Sequence, residues 1–117
     1  AGAARLFFCT PQTFENDLRE GVVDGRRVVC VVFDEAHHAA GAGYAYAKVV
    51  GLLSSRGALF RVLALSATAG ADLPAVQRVV RALKIARLEA RTEADAELRP
   101  HTHERMVRVV RVTNSVP

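Results

Sequence analysis

The strongest constraint on the fold is the apolar run VVCVVF at residues 28–33, which ends abruptly on Asp34 and Glu35. A short run rich in β-branched valine predicts a strand buried on both faces, of the kind found in the middle of a parallel sheet. Ligands of open α/β sheets bind beyond the carboxyl ends of the strands. The two carboxylates, followed by His37, could therefore hold a divalent cation and activate a water molecule. In the simpler alternative, Asp34 caps a following helix and Glu35 stabilises its first turn.

On both sides of this run, the sequence alternates between apolar strands and amphipathic helices. Further strands are predicted at residues 5–9 and 60–65, and helices at residues 12–20, 44–54 and 73–84. Weaker strand patterns occupy residues 85–90 and 105–113, on either side of a charged surface linker at residues 91–103. This alternation is typical of βαβ units, so the predicted fold class is α/β, with helices flanking a parallel sheet.

Each of the three main predicted strands ends in a polar segment. These segments are Thr10-Pro11-Gln12, Asp34-Glu35-Ala36-His37 and Ser66-Ala67-Thr68. Because parallel strands bring their carboxyl ends to one edge of a sheet, the three segments are expected to form a single site.

The order of these segments carries a resemblance to a known family. TPQ, DEAH and SAT on successive strand ends resemble motifs Ib, II and III of superfamily 2 helicases, in the first of their two RecA-like motor domains. The segments TPQTFENDL, YAY and FRVLALSAT resemble more narrowly the Fanconi anaemia group M and Hef family, whose members are DNA translocases that remodel branched DNA. The resemblance extends over about residues 6–112. It departs from the family at His38, where Lys or Arg is common, and at Ala69, where Pro is usual.

The resemblance implies a domain organisation. Residues 1–90 would form the C-terminal part of a RecA-like (P-loop NTPase) motor domain, and residues 91–117 a linker and strand leading towards the next domain. The sequence contains no G-x-x-x-x-G-K-[ST] phosphate loop. A second RecA-like domain of the same protein would be the partner that brings an arginine finger. The chain is therefore interpreted as an internal fragment of a motor, inactive on its own.

The resemblance also implies ATP and Mg²⁺ as cofactors and a role for each acid. Asp34 would hold the magnesium through a coordinated water, and Glu35 would polarise the attacking water. His37 would complete this catalytic set by linking it to the coupling motif Ser66-Ala67-Thr68.

The first polar segment, TPQ, is expected to contact DNA. Thr10, Pro11 and Gln12 would contact DNA phosphates, since a helix N-terminus presents free N–H groups. The expected function is thus an ATP-dependent DNA helicase or translocase that remodels forks and junctions during DNA repair in the nucleus. Two alternatives stay open: a double-stranded-RNA-dependent ATPase of the Dicer and innate-immune receptor type, and a non-catalytic nucleic-acid-binding module.

Charge and composition agree with this assignment but do not establish it. The net charge of +4 and pI near 9.7 favour a polyanionic partner. No apolar run reaches the length of a membrane span, so a soluble, intracellular protein without a membrane partner is expected. Cys9 and Cys30 are expected to be free thiols buried in strands. His38, His101 and His103 lack acid or cysteine partners at metal-ligand spacing and are expected at the surface.

Two further groups of side chains receive a structural interpretation. Tyr44 and Tyr46 are interpreted as packing residues at a helix start, although one could stack on a base. Arg105, Arg108 and Arg111 recur at every third position, which favours a solvated face over a DNA path.

Overall fold

The structure, a computed structural model, describes residues 5–41, 43–67, 72–92, 95–101 and 106–111. Within these residues the α-helices and strands follow in the order α1 (Pro11–Glu20), β1 (Cys30–Phe33), α2 (Ala45–Ser55), β2 (Arg61–Ala64) and α3 (Leu73–Leu83). Short 3₁₀-helices form at Gly25–Arg27, Ala36–Ala40 and Arg99–His101. None of the helices in these ranges combines the length and apolarity needed to cross a membrane.

The two strands pair in parallel, with Phe33 opposite Ala64. The ladder continues beyond this pair, because the Leu65 N–H donates to the Phe33 carbonyl oxygen over 2.9 Å. Since both strands run in the same direction, Asp34 and Ser66, which follow them, lie at the same edge of the sheet. The predicted α/β class with a parallel sheet is confirmed.

Helix α1 begins and ends where local chemistry predicts. Thr10 is its N-cap, and the Thr10 Oγ1 accepts a hydrogen bond from the Thr13 N–H over 3.3 Å. Pro11 occupies the first turn, where its missing N–H removes no helical hydrogen bond. Gly21 ends the helix with a φ of 77°, a left-handed conformation that glycine adopts without steric penalty.

The core lies between one face of β1 and the three helices. Leu18 of α1, Leu53 of α2 and Leu83 of α3 are fully buried, and Phe33 of β1 is nearly so. Full burial of a side chain of this size contributes about 1.5–3 kcal/mol. This packing fixes the position of β1. Asp34 and Glu35, which follow β1, form a turn that we call the acidic turn.

A buried charge, not indicated by the sequence pattern, joins α1 to α2. Glu15 is only 8% exposed. Its Oε1 lies 2.9 Å from Arg19 Nη2 on the same helix, and its Oε2 lies 3.8 Å from Lys48 Nζ on α2. A carboxylate at this depth requires such partners, because an unpaired buried charge is strongly destabilising.

The prediction that residues 28–33 are buried on both faces is wrong. Val31 and Phe33 are buried, whereas Val32 is 57% exposed and Val29 is 74% exposed. In the described part of the chain, only one face of the strand pair is covered, so alternate side chains stay in contact with solvent. A run of β-branched residues indicates that a strand forms, but it does not show how many faces are covered.

Three other predicted strands are absent from the described residues. Residues 5–9, 85–90 and 106–111 (the described part of 105–113) form no strand. A strand needs a partner for its backbone N–H and C=O groups, and the described sheet consists of β1 and β2. Apolar side chains in these segments are exposed, among them Phe8 and Val109. Leu73, the first residue of α3, is also exposed.

Both cysteines are free, as predicted, but the prediction that they are buried is wrong. Cys30 lies on the exposed face of β1, and Cys9 lies in the segment before α1 that forms no strand. Partial desolvation of the thiol, and then the charge of Asp17, raise the pKa of Cys9.

In the native chain, we therefore expect both thiols to react with a thiol reagent without prior unfolding. Cys9 should react more slowly at pH 7 than an ordinary exposed thiol, because its raised pKa lowers the fraction of thiolate. Single Cys9→Ser and Cys30→Ser variants assign the two rates. A thiol that reacts only after denaturant is added would contradict the exposed placement.

Candidate active site

The turn that follows β1 carries the two acids in an unusual backbone conformation. Glu35 has φ 49° and ψ 46°, in the left-handed region, which costs a non-glycine residue about 1–2 kcal/mol. The Asp34 Oδ1 accepts a hydrogen bond from the Glu35 N–H over 2.9 Å. Both residues are exposed. Backbone strain of this kind clusters at functional sites, and here it displays two carboxylates at the edge of the sheet.

The 3₁₀-helix Ala36–Ala40 fixes the far side of this turn. Ala36 and Ala39 are buried in the core, and the Ala36 N–H donates to the Leu65 carbonyl oxygen over 2.8 Å. Glu35 is at the N-cap position but makes no side-chain capping bond. The Asp34 carboxylate accepts from the Glu35 N–H and not from this helix. The alternative in which Asp34 caps a following helix is therefore not what the structure shows.

One ring nitrogen links the acidic turn to the end of β2. The His37 Nδ1 lies 3.1 Å from the Ser66 Oγ and 3.3 Å from the Glu35 Oε2. This nitrogen can donate to the carboxylate or accept from the hydroxyl, depending on which ring nitrogen carries the proton. The sequence predicted a link from His37 to Ser66, and the structure contains that contact.

Tyr46 supports the turn from α2. Its hydroxyl donates a hydrogen bond of 2.7 Å to the Asp34 carbonyl oxygen, and its ring packs on Phe33 with a centroid distance of 4.5 Å. Packing at the helix start was predicted for this tyrosine; the hydrogen bond was not. Nothing in the sequence pattern indicates it, because the two residues are 12 positions apart and meet only through the fold.

A cavity of about 420 Å³ opens beside His37 and Ser66. Its walls are mostly apolar side chains of β2, α3 and the segment that follows α3. Its polar lining consists of His37, Ser66, Asp72, Arg87 and Glu89. The Ser66 hydroxyl therefore borders an open space between the strand ends and α3.

The first predicted segment, TPQ, lies at the start of a helix and does not follow a described strand. Thr10, Pro11 and Gln12 form the start of α1, and Gln12 is exposed. Among the described hydrogen bonds and ion pairs, none joins these three residues to the acidic turn. The expectation that they share one sheet edge with the acids is not tested by strand pairing, because residues 5–9 form no strand.

The predicted coupling motif, Ser66-Ala67-Thr68, is described only in part. Ser66 is half-buried at the end of β2 and contacts His37, and the following Ala67 is exposed. Thr68, the third residue of the predicted motif, lies outside the described residues.

The side chains of the acidic turn can be compared with the ligands that Mg²⁺ requires. The described residues contain no group of three or more His, Cys, Asp or Glu side chains that could hold a metal. Mg²⁺ commonly keeps several waters and takes one or two carboxylates together with substrate phosphates. The exposed carboxylate of Asp34 fits that demand. His38 and His101 are exposed, and His103 lies outside the described residues.

The similar proteins found by comparison with known sequences agree with one another. No protein-family model matches the chain. The ATP-dependent DNA helicase MPH1 of Coccidioides immitis is 49% identical over 111 residues, which is 95% of this chain and 10% of the relative. The mph1 helicase of Aspergillus niger is 48% identical over 113 residues, which is 97% of this chain and 10% of the relative. The chain thus spans about a tenth of the length of these curated relatives.

A solved structure supports the same relationship. The crystal structure of the Pyrococcus furiosus Hef helicase domain matches with a TM-score of 0.69 and 35% sequence identity. The match covers 81% of this chain and 20% of the Hef chain. Sequence, fold and the order of the TPQ, DEAH and SAT segments together show that the chain belongs to the Fanconi anaemia group M, MPH1 and Hef family of superfamily 2 DNA helicases, as part of the helicase domain.

Proposed function

We propose that this chain contributes the hydrolytic acids and the coupling segment of an ATP-dependent DNA helicase or translocase that remodels branched DNA in DNA repair. The observation that carries the proposal is the link through His37, which lies 3.3 Å from Glu35 and 3.1 Å from Ser66. A site that only binds nucleic acid does not need this connection between two strand ends. A motor does, because it has to couple hydrolysis to movement.

The two acids divide the hydrolytic work. Bound Mg²⁺ neutralises charge on the transferred phosphoryl group. The Asp34 carboxylate, oriented by the hydrogen bond from the Glu35 N–H, would hold this ion through a coordinated water. Glu35, exposed beside it, would accept a hydrogen bond from the attacking water and orient it. The left-handed backbone at Glu35 supports this division, because it is a strained conformation without a capping role.

The coupling role falls on His37 and the segment Ser66-Ala67-Thr68. His37 is 36% exposed, and its Nδ1 is within reach of both the Glu35 carboxylate and the Ser66 hydroxyl. A change at the acidic turn would thereby alter the hydrogen bonding at the end of β2. The adjoining cavity gives Ser66 room to change partners.

The DNA contact would come from the start of α1. Thr10, Pro11 and Gln12 occupy the N-terminus of a ten-residue helix, where the backbone N–H of Gln12 and the helix dipole favour a phosphate. The Glu15–Lys48 ion pair holds α1 against α2 and so ties this contact to the helix that supports the acidic turn. Contacts to phosphate position the strand without reading its sequence.

The rest of the motor would lie beyond these residues. Residues 1–90 would be part of the first RecA-like domain, and residues 91–117 would lead to the next domain. The second RecA-like domain would be the partner that completes the ATP site, and the whole protein would act in the nucleus.

The direct test is the ATPase activity of the complete helicase that carries this segment. Its rate is measured without nucleic acid, with branched DNA, with linear duplex DNA and with double-stranded RNA. We expect branched DNA to raise the rate severalfold and double-stranded RNA to leave it near the basal value. The 117-residue chain serves as a control that should show no turnover, because its sequence has no phosphate loop.

Two outcomes would overturn the proposal. Stimulation by double-stranded RNA but not by DNA would identify an RNA-dependent ATPase. DNA binding without any nucleic-acid-dependent hydrolysis would identify a non-catalytic binding module.

A further inference from the structure

We infer that Tyr46 is a positioning residue for Glu35, an inference that rests on the hydrolytic role proposed for Glu35. The Tyr46 hydroxyl donates a 2.7 Å hydrogen bond to the Asp34 carbonyl oxygen. That carbonyl belongs to the peptide group that leads into Glu35. Tyr46 therefore acts on the backbone of the acidic turn and not on its carboxylates.

Hydrogen bonds hold the backbone on both sides of Glu35. The Asp34 carbonyl oxygen accepts from Tyr46, and the N–H of the same peptide group donates to the Asp34 Oδ1 over 2.9 Å. On the other side, the Ala36 N–H donates to the Leu65 carbonyl oxygen over 2.8 Å. Because a peptide group is planar, these bonds together fix its orientation and with it the φ of 49° at Glu35.

The strain at Glu35 explains why this support matters. A non-glycine residue prefers to leave the left-handed region, so the turn relaxes if one of its hydrogen bonds is lost. Rotation of the Asp34–Glu35 peptide group would redirect the Glu35 carboxylate. A misplaced catalytic group loses rate even when binding is preserved.

Tyr46 is itself held in place by aromatic packing. Its ring contacts the buried Phe33, and Tyr44 meets it edge-on at 5.1 Å. Desolvation, and then the charges of Tyr44, Asp34 and Glu35, raise the pKa of Tyr46. The hydroxyl is therefore a protonated donor throughout the neutral pH range.

The test compares Tyr46→Phe with Tyr44→Phe in the complete helicase. Tyr46→Phe removes only the hydroxyl and keeps the ring on Phe33. Tyr44→Phe is a matched control, because the described side-chain contacts of Tyr44 are ring contacts. We expect Tyr46→Phe to lower kcat of the DNA-stimulated ATPase about tenfold, the equivalent of one hydrogen bond. KM for ATP and the melting temperature should stay near the wild-type values, and Tyr44→Phe should leave all three quantities unchanged.

A double variant shows whether Tyr46 acts through Glu35. In the Glu35→Gln background, Tyr46→Phe should cause no further loss, because the group that it positions is already gone. The inference is overturned if Tyr46→Phe keeps the wild-type kcat while Glu35→Gln abolishes turnover. An undiminished tenfold loss in the Glu35→Gln background would also overturn it. Wild-type turnover by Glu35→Gln alone would instead refute the proposed role of the acid and, with it, the inference.

Discussion

The Glu35→Gln variant of the complete helicase should lose DNA-stimulated ATPase activity by a factor of about 10² or more. Glutamine is nearly isosteric with glutamate and keeps the N–H that donates to the Asp34 Oδ1. It can adopt the same left-handed backbone at a similar cost. The substitution therefore removes the carboxylate that is proposed to orient the attacking water, while leaving the turn in place. Steady-state hydrolysis and equilibrium ATP binding are measured on the same preparation.

The ATP binding that the Glu35→Gln variant retains is as informative as the hydrolysis that it loses. Mg²⁺-dependent ATP binding should stay near the wild-type level, because Asp34 is unchanged. Glu20→Gln is a matched control, since Glu20 is an exposed acid at the end of α1 and loses the same charge. If the Glu35→Gln variant still remodels branched DNA at the normal rate, hydrolysis at this site does not drive the reaction. The binding-module interpretation would then replace the motor.

β1 and α1 could be predicted because the residues that determine where they begin and end are neighbours in sequence. The β-branched run before Asp34 predicts β1, and Thr10 with Gly21 marks the two ends of α1. The polar segments after β1 and β2 meet because parallel pairing brings them to one edge. The link from His37 to Ser66 was implied by the family resemblance, and the structure contains that contact.

Features that depend on distant neighbours could not be predicted in this way. Val32 and Cys30 look like core residues in sequence, yet they lie on the face of β1 that no described element covers. Glu15 looks like a surface residue of α1, yet Lys48 and Arg19 stabilise it in a buried position. Exposure depends on which elements pack together, whereas periodicity reports only the local conformation.

The acidic turn shows a different limit of sequence reasoning. In one interpretation of the sequence, Asp34 caps a following helix and Glu35 stabilises its first turn, but Glu35 takes a left-handed conformation that side chains rarely adopt. The support for this conformation comes from Tyr46 and Leu65, on α2 and after β2. Strain at a site is held by the surrounding fold, so it cannot be inferred from the tetrapeptide alone.

Removing the Ser66 hydroxyl at the end of β2 should impair movement along DNA while sparing ATP hydrolysis. In Ser66→Ala, we expect DNA-stimulated ATPase to stay within a few-fold of wild type, because Asp34 and Glu35 are untouched. Branch migration or strand displacement should fall about tenfold or more, since the hydroxyl that meets His37 at 3.1 Å is lost. Combining Ser66→Ala with Thr68→Ala should deepen the second effect more than the first. Both activities are measured side by side on the same branched substrate.

Ser55→Ala is the matched control for this experiment. The Ser55 hydroxyl donates locally to the Leu52 carbonyl oxygen at the end of α2, so its loss should leave both activities unchanged. A proportional fall of hydrolysis and movement in Ser66→Ala would contradict the coupling role, because it would place Ser66 in the hydrolytic step or in folding. A large fall in movement at nearly normal hydrolysis requires a part that transmits the state of the ATP site. The contact from Glu35 through His37 to Ser66 is the path by which these residues would transmit it.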